Sequence, residues 1–171
     1  KCTDVEIFPN LFSITFIDLK DYLLKFKDCV DSKGKPKALT ECLSVAEIES
    51  RLESVKSKIF YISDTDDSQL LKLVSYINSM EAYFDEDGNP VRYDVFGYNN
   101  QGYDDMMFKT FMMYFNRFDT TKELCHKLKE INDKLISLQD DKDALWKDRE
   151  LDLIRKYRLP WATVDLFKIY A

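Results

Sequence analysis

Residues 3–18 read TDVEIFPNLFSITFID, and how this stretch pairs decides the fold. β-Branched and aromatic residues crowd both sides of Pro9-Asn10, a dipeptide that interrupts regular structure and favours a tight turn. The stretch is therefore expected to double back as a hairpin. In its first arm Asp4 and Glu6 stand two apart, so a strand points both carboxylates to one face. Acids form strands poorly, and like charges on one side of a strand repel each other. A divalent cation would offset that, because magnesium and manganese are held by a few carboxylate oxygens while water and phosphate complete the shell. A solvated face of an edge strand would account for the same pair without any metal.

Outward from the hairpin, strand-like and helix-like segments alternate. Residues 19–43 are indecisive, with DSKGKPK at 31–37 a polar loop. Ser44 followed three residues later by Glu47 is a capping box, and Val45, Ile48, Leu52 and Val55 form one apolar face. KIFYIS at 58–63 reads as a strand, and Asp66 or Asp67 as the cap of a helix carrying Leu70, Leu71, Leu73, Val74, Ile77 and Met80. DEDGNP at 85–90 is a turn before the alternating strand VRYDVFGY at 91–98. MMFKTFMMYF is apolar all round, the mark of a buried helix. Thr120 with Glu123 makes a second capping box, after which Leu124, Leu128, Ile131, Leu135 and Leu138 recur in steps of four and three. With a charged helix to about Arg158, this predicts a long helical hairpin over 120–158, an arm. Pro160 then stops the helix, and ATVDLFKIY resumes a strand-like pattern. The fold class is α/β, in one domain spanning 1–171.

Bulk properties narrow the function. With 171 residues, 45% of them hydrophobic and twelve Phe, the chain can bury a core. A net charge of −6 argues against a protein that holds nucleic acid by phosphate neutralisation alone. Cys2, Cys29, Cys42 and Cys125 show neither a CxxC pair nor zinc spacing and are expected to be reduced thiols, as in a cytoplasmic protein. No apolar run approaches a membrane span.

A second stretch, GYNNQGYDD at 97–105, sits between a strand and the buried helix. As a turn it needs its Asn and Gly, and one acid can cap the helix. Neither role explains why Tyr103 precedes Asp104, downstream of a hairpin that begins Asp-x-Glu. Together the two stretches resemble the first two motifs of the DEDD superfamily of 3′ to 5′ exonucleases, which includes the proofreading domains of family B and phage-type DNA polymerases. The first motif, Asp-x-Glu on the first strand, is matched by Asp4 and Glu6. The second, Asn, three residues, Phe or Tyr, then Asp, is matched by Asn99, Tyr103 and Asp104. ATVDLFKI, with Asp165, is similar to the segment that precedes the last motif, where the acid has a structural role. The third motif, Tyr or His and a later Asp on a final helix, is not found between Asp165 and Ala171. Either the chain stops before that helix and its fourth carboxylate, or the second metal site stays incomplete.

The resemblance implies an RNase H-like mixed sheet flanked by helices and a two-metal hydrolysis of phosphodiesters, using Mg2+ or Mn2+ ions roughly 4 Å apart. It implies that Asp4 bridges both ions, that Glu6 orients the attacking water and that Asp104 holds the second ion directly or through water. Asn99 and Tyr103 would position the terminal nucleotide. The expected substrate is the 3′ end of single-stranded DNA, unpaired so that Phe8 or Phe12 can stack on a base, although both Phe are equally at home in a core. The expected partners are a polymerase domain or a replication protein, in a bacterial or phage-infected cytoplasm. The rival expectation is a non-catalytic exonuclease-like scaffold whose arm binds a replication or virion partner. His126, the only histidine, reads as a helix-surface residue, and the methionines at 106–113 as core.

Overall fold

The hairpin forms in full register. In the computed structural model, which describes residues 1–81, 83–97 and 101–165, β1 (Cys2–Phe8) pairs antiparallel with β2 (Leu11–Ile17), Cys2 opposite Ile17 and Phe8 opposite Leu11. Alternation then sorts the side chains. Val5, Phe12, Ile14 and Phe16 are buried on one face, and Asp4, Glu6 and Phe8 lie exposed on the other. A one-residue slip would exchange the faces and drive two carboxylates into the core.

Residues 19–56 leave the sheet and return. α1 (Leu19–Lys25), α2 (Leu39–Cys42) and α3 (Val45–Glu53) make this excursion, and no residue of these three helices is buried. The Ser44 capping box is present in full, but the expected apolar face of α3 is largely in water: Val45 and Leu52 are exposed, and only Val55, beyond the helix, is buried. Arg51 ties the excursion together through a two-pronged pair with Asp28 (2.6 and 2.9 Å) and a bond to the Lys25 carbonyl.

β3 (Ser57–Ser63) adds antiparallel to β2. α4 (Leu70–Asn78) follows without the expected Asp cap; Gln69 holds that position, and Asp66 instead accepts the Ser68 amide in a local turn. A small hairpin, β4 (Tyr83–Phe84) with β5 (Pro90–Val91), turns through Gly88, whose φ of 81° suits glycine. β6 (Asp94–Gly97) then inserts parallel to β1 and is in turn flanked by β7 (Ala162–Asp165), parallel to β6. The sheet order is β3-β2-β1-β6-β7, with β2 alone running against the others.

Between β6 and β7 lie α5 (Asp104–Tyr114), α6 (Thr121–Leu138), α7 (Lys142–Lys147) and α8 (Arg149–Lys156). α5 is the central helix. Its Phe111 stacks on Phe12 at 5.3 Å, and its Phe108 meets Phe16 at 5.6 Å and the edge of Trp161 at 5.1 Å. The expected arm is corrected here. One long and two short helices replace the two long ones, and they pack into the core rather than projecting, with Leu124, Leu128, Ile131, Leu135, Leu151 and Ile154 all buried in it. Periodicity located the apolar stripe but could not say that α5 and the sheet would cover it. No helix among the described residues is long and apolar enough to cross a membrane.

Candidate functional site

In open α/β sheets, ligands gather outside the carboxyl ends of parallel strands where the strand order reverses. Here the chain leaves β1 toward β2 and leaves β6 toward β7, so the reversal falls between β1 and β6. Cys2 pairs with Phe96, which sets Asp4 beside the carboxyl end of β6. The segment that follows β6 delivers Asp104 as the first residue of α5.

Asp104 does not cap that helix. The cap position belongs to Tyr103, and no side chain there bonds a helix amide. Asp104 is only 7% exposed, and its pKa is pushed up to about 7, first by burial and then by the charges of Asp4, Asp105, Glu6 and Asp165. A carboxylate so placed is costly when ionised, the expected signature of a group whose charge is needed for something other than folding. Among the described residues, no three His, Cys, Asp or Glu side chains are already gathered as an ion-binding group. What joins Asp104 to Asp4 and Glu6 is a shared electrostatic field.

Tyr103 is half-buried, and its hydroxyl donates to the side-chain oxygen of Asn132 on α6. Burial first, and then the neighbouring Asp104, Glu6, Asp133 and Asp4, raise its pKa to about 12, so the phenol stays protonated and remains a donor. Sequence reasoning missed Asn132. Its trace was there: a polar residue three before Leu135 and four after Leu128, inside the apolar stripe.

Asp105 is a second miss. It is buried, its Oδ2 accepts the Thr163 hydroxyl at 2.7 Å, and its Oδ1 has no hydrogen-bond partner. Burial raises its pKa, opposed by Thr163, Lys109 and Trp161. Asp165, at the end of β7 opposite Gly97, accepts the Gln101 amide at 3.3 Å and so ties down the segment leading to Tyr103, a structural role.

The two phenylalanines separate. Phe12 is core, whereas Phe8 is 49% exposed on the same face as Asp4 and Glu6. The register adds a neighbour: Glu6 faces Ser13, and Ser13 faces Tyr61 on β3, itself half-exposed. Asn99 lies outside the described residues. No family model, no curated protein and no solved structure matches this chain.

Proposed function

We propose that the chain is a metal-dependent 3′ to 5′ exonuclease domain of the proofreading type, acting on single-stranded DNA as part of a phage-type DNA polymerase. The observation that carries this reading is Asp104, a buried acid at a helix start whose pKa is raised first by burial and then by surrounding charges, Asp4 and Glu6 of the central strand among them. The strand order, with β2 alone reversed, is compatible with an RNase H-like sheet, the arrangement the reading requires.

The donor set suits hard cations: three carboxylates, with the charges of Asp4 and Glu6 bearing on Asp104. Asp4, Glu6 and Asp104 would hold Mg2+ or Mn2+, which when bound supplies an activated water and neutralises charge at the scissile phosphate. The chain's own contribution is positional. β1 fixes Asp4 and Glu6 on one face, α5 presents Asp104, and Asn132 orients the Tyr103 ring through its hydroxyl. Phe8 and Tyr61, exposed on or beside that face, offer aromatic surfaces on which an unpaired base stacks. The scaffold reading assigns partner binding to the arm at 120–158, whose apolar residues are buried in the chain's own core.

Digestion of a 3′-labelled single strand in Mg2+ or Mn2+ tests the proposal. Stepwise shortening from the 3′ end is expected, abolished by Asp4→Ala with Glu6→Ala. Activity that survives the double substitution overturns it.

A further inference from the structure

The neighbouring residue of Asp104 opens onto a different surface. Asp105 lines a cavity of about 420 Å3 together with five cations, Arg92, Lys109, Arg155, Lys156 and Arg158. In a chain of net charge −6, this is a local reversal of sign. Carbonyl oxygens fix several of these head groups in place without neutralising them. Lys109 donates to the carbonyl of Arg155, Arg92 to that of Leu159, and Arg155 to those of Leu151 and Leu145. Only Lys156 is paired, with Asp152 at the surface; among the described residues no carboxylate lies within ion-pair distance of the other four.

Two further observations indicate a ligand. The buried Trp161 N–H interacts with Asp105 and counters the rise in its pKa, whereas Arg155 leaves a buried N–H in this wall without an acceptor. Native proteins rarely leave such groups unmatched. The cavity is also not closed on itself. Tyr157 lines it and two others, one of which takes in Arg117 and the other Asn78, Glu81 and Pro160, so the cavities follow one another around the end of α8 with cations in each and Glu81 as an acid in the last. A run of cations with an aromatic ring at its middle matches a polyanionic strand.

We propose that this groove binds the phosphate backbone of a nucleic acid strand, with Lys156 and Arg158 at its rim. The choice of nucleic acid among polyanions rests on the nuclease reading; the anion site itself does not. α5 joins the two surfaces: Asp105 and Lys109 line the cavity, and the same helix presents Asp104 at its start.

Fluorescence anisotropy of a short labelled single strand, measured in EDTA so that nothing is hydrolysed, tests the groove. Lys156→Glu with Arg158→Glu is expected to weaken binding by about tenfold or more at low salt and to flatten the log affinity against log salt plot by about two units, one per phosphate contact. If the reversal variant does not melt like the parent, Lys156→Gln with Arg158→Gln reads the same change of slope. Affinity and slope unaltered by the substitutions overturn the proposal. So does tripolyphosphate binding by a protein that shows no affinity for the strand. Affinity is read in EDTA and digestion in Mg2+ or Mn2+, so failure of the nuclease reading and failure of this one give different results.

Discussion

α3 and α5 are both helices announced by strong local signals, yet they are held in opposite ways. α3 has a complete capping box and not one buried residue, while α5 has eight buried residues and no side-chain cap at its start. A surface helix depends on satisfying its own end groups, because tertiary contacts supply little. A helix enclosed by a sheet and two other helices does not, and its first residue is released for another use. Asp104 occupies that position, and the cost of leaving it charged is carried by Phe108, Phe111 and Met107 packing beneath the strands.

The comparison can be broken most severely at the buried helix. Phe111→Ala empties a fully buried ring site and should cost about 3–5 kcal/mol in urea denaturation, whereas Leu52→Ala on α3 should cost under about 1 kcal/mol. Equal losses would show that the two helices are held alike.

The next largest effect has the opposite sign. The folded-state pKa of Asp104 is raised, so the native chain binds its proton more tightly than the unfolded one, and stability falls as pH rises from about 4 to about 7. Three pKa units set a ceiling of about 4 kcal/mol, which solvent screening reduces. Without divalent cations, Asp104→Asn should therefore gain stability over the parent progressively across that interval and hold the gain above it. Added Mg2+ should raise the melting temperature of the parent and not of the variant. A pH-independent difference would show that the charge of Asp104 is not the source of the cost.

A smaller effect comes from the ion cluster joining α6 to α8. Lys134 reaches Glu150 at 3.1 Å and Asp148 at 3.3 Å, and Lys127 reaches Glu150 at 2.6 Å. Burial alone would raise the pKa of Glu150, but bonds from Lys127, Tyr114 and Lys134 prevail and lower it; Asp148 is lowered chiefly by the Leu151 amide. Depressed acids stabilise above their unfolded pKa and lose that contribution as pH falls below about 4. Lys134→Met should cost about 1 kcal/mol at pH 6 and less at pH 3, read from denaturation midpoints. The smallest change is at the surface helix: Ser44→Ala removes one cap and should cost about 1 kcal/mol or less.

What the sequence disclosed follows the range of each interaction. The β1–β2 hairpin, both capping boxes and the enclosure of α5 depend on residues near one another in the chain, and each is legible in TDVEIFPNLFSITFID, in Ser44 with Glu47, or in MMFKTFMMYF. The insertion of β6 beside β1 is not, since nothing local to VRYDVFGY names its neighbour. The same blindness turned α6 into an arm and hid Asn132, whose partner Tyr103 is 29 residues away. At the site, motif spacing singled out Asp4, Glu6 and Asp104, and the charges of the first two bear on the third. Asp105, Thr163 and Trp161 escaped because they meet only when β7 closes the sheet.

That closure orders events in time. Contacts between distant parts of a chain form slowly, after local ones. The β1–β2 ladder needs only the first 17 residues, but Gly97 meets Asp165 only when nearly the whole described chain has been made. Pulse-labelled hydrogen exchange should accordingly protect the amides of β1 and β2 before those of β6 and β7. On a ribosome, the two acids of the first strand would emerge long before α5 and β7, which bring Asp104 and Asp165 into their surroundings.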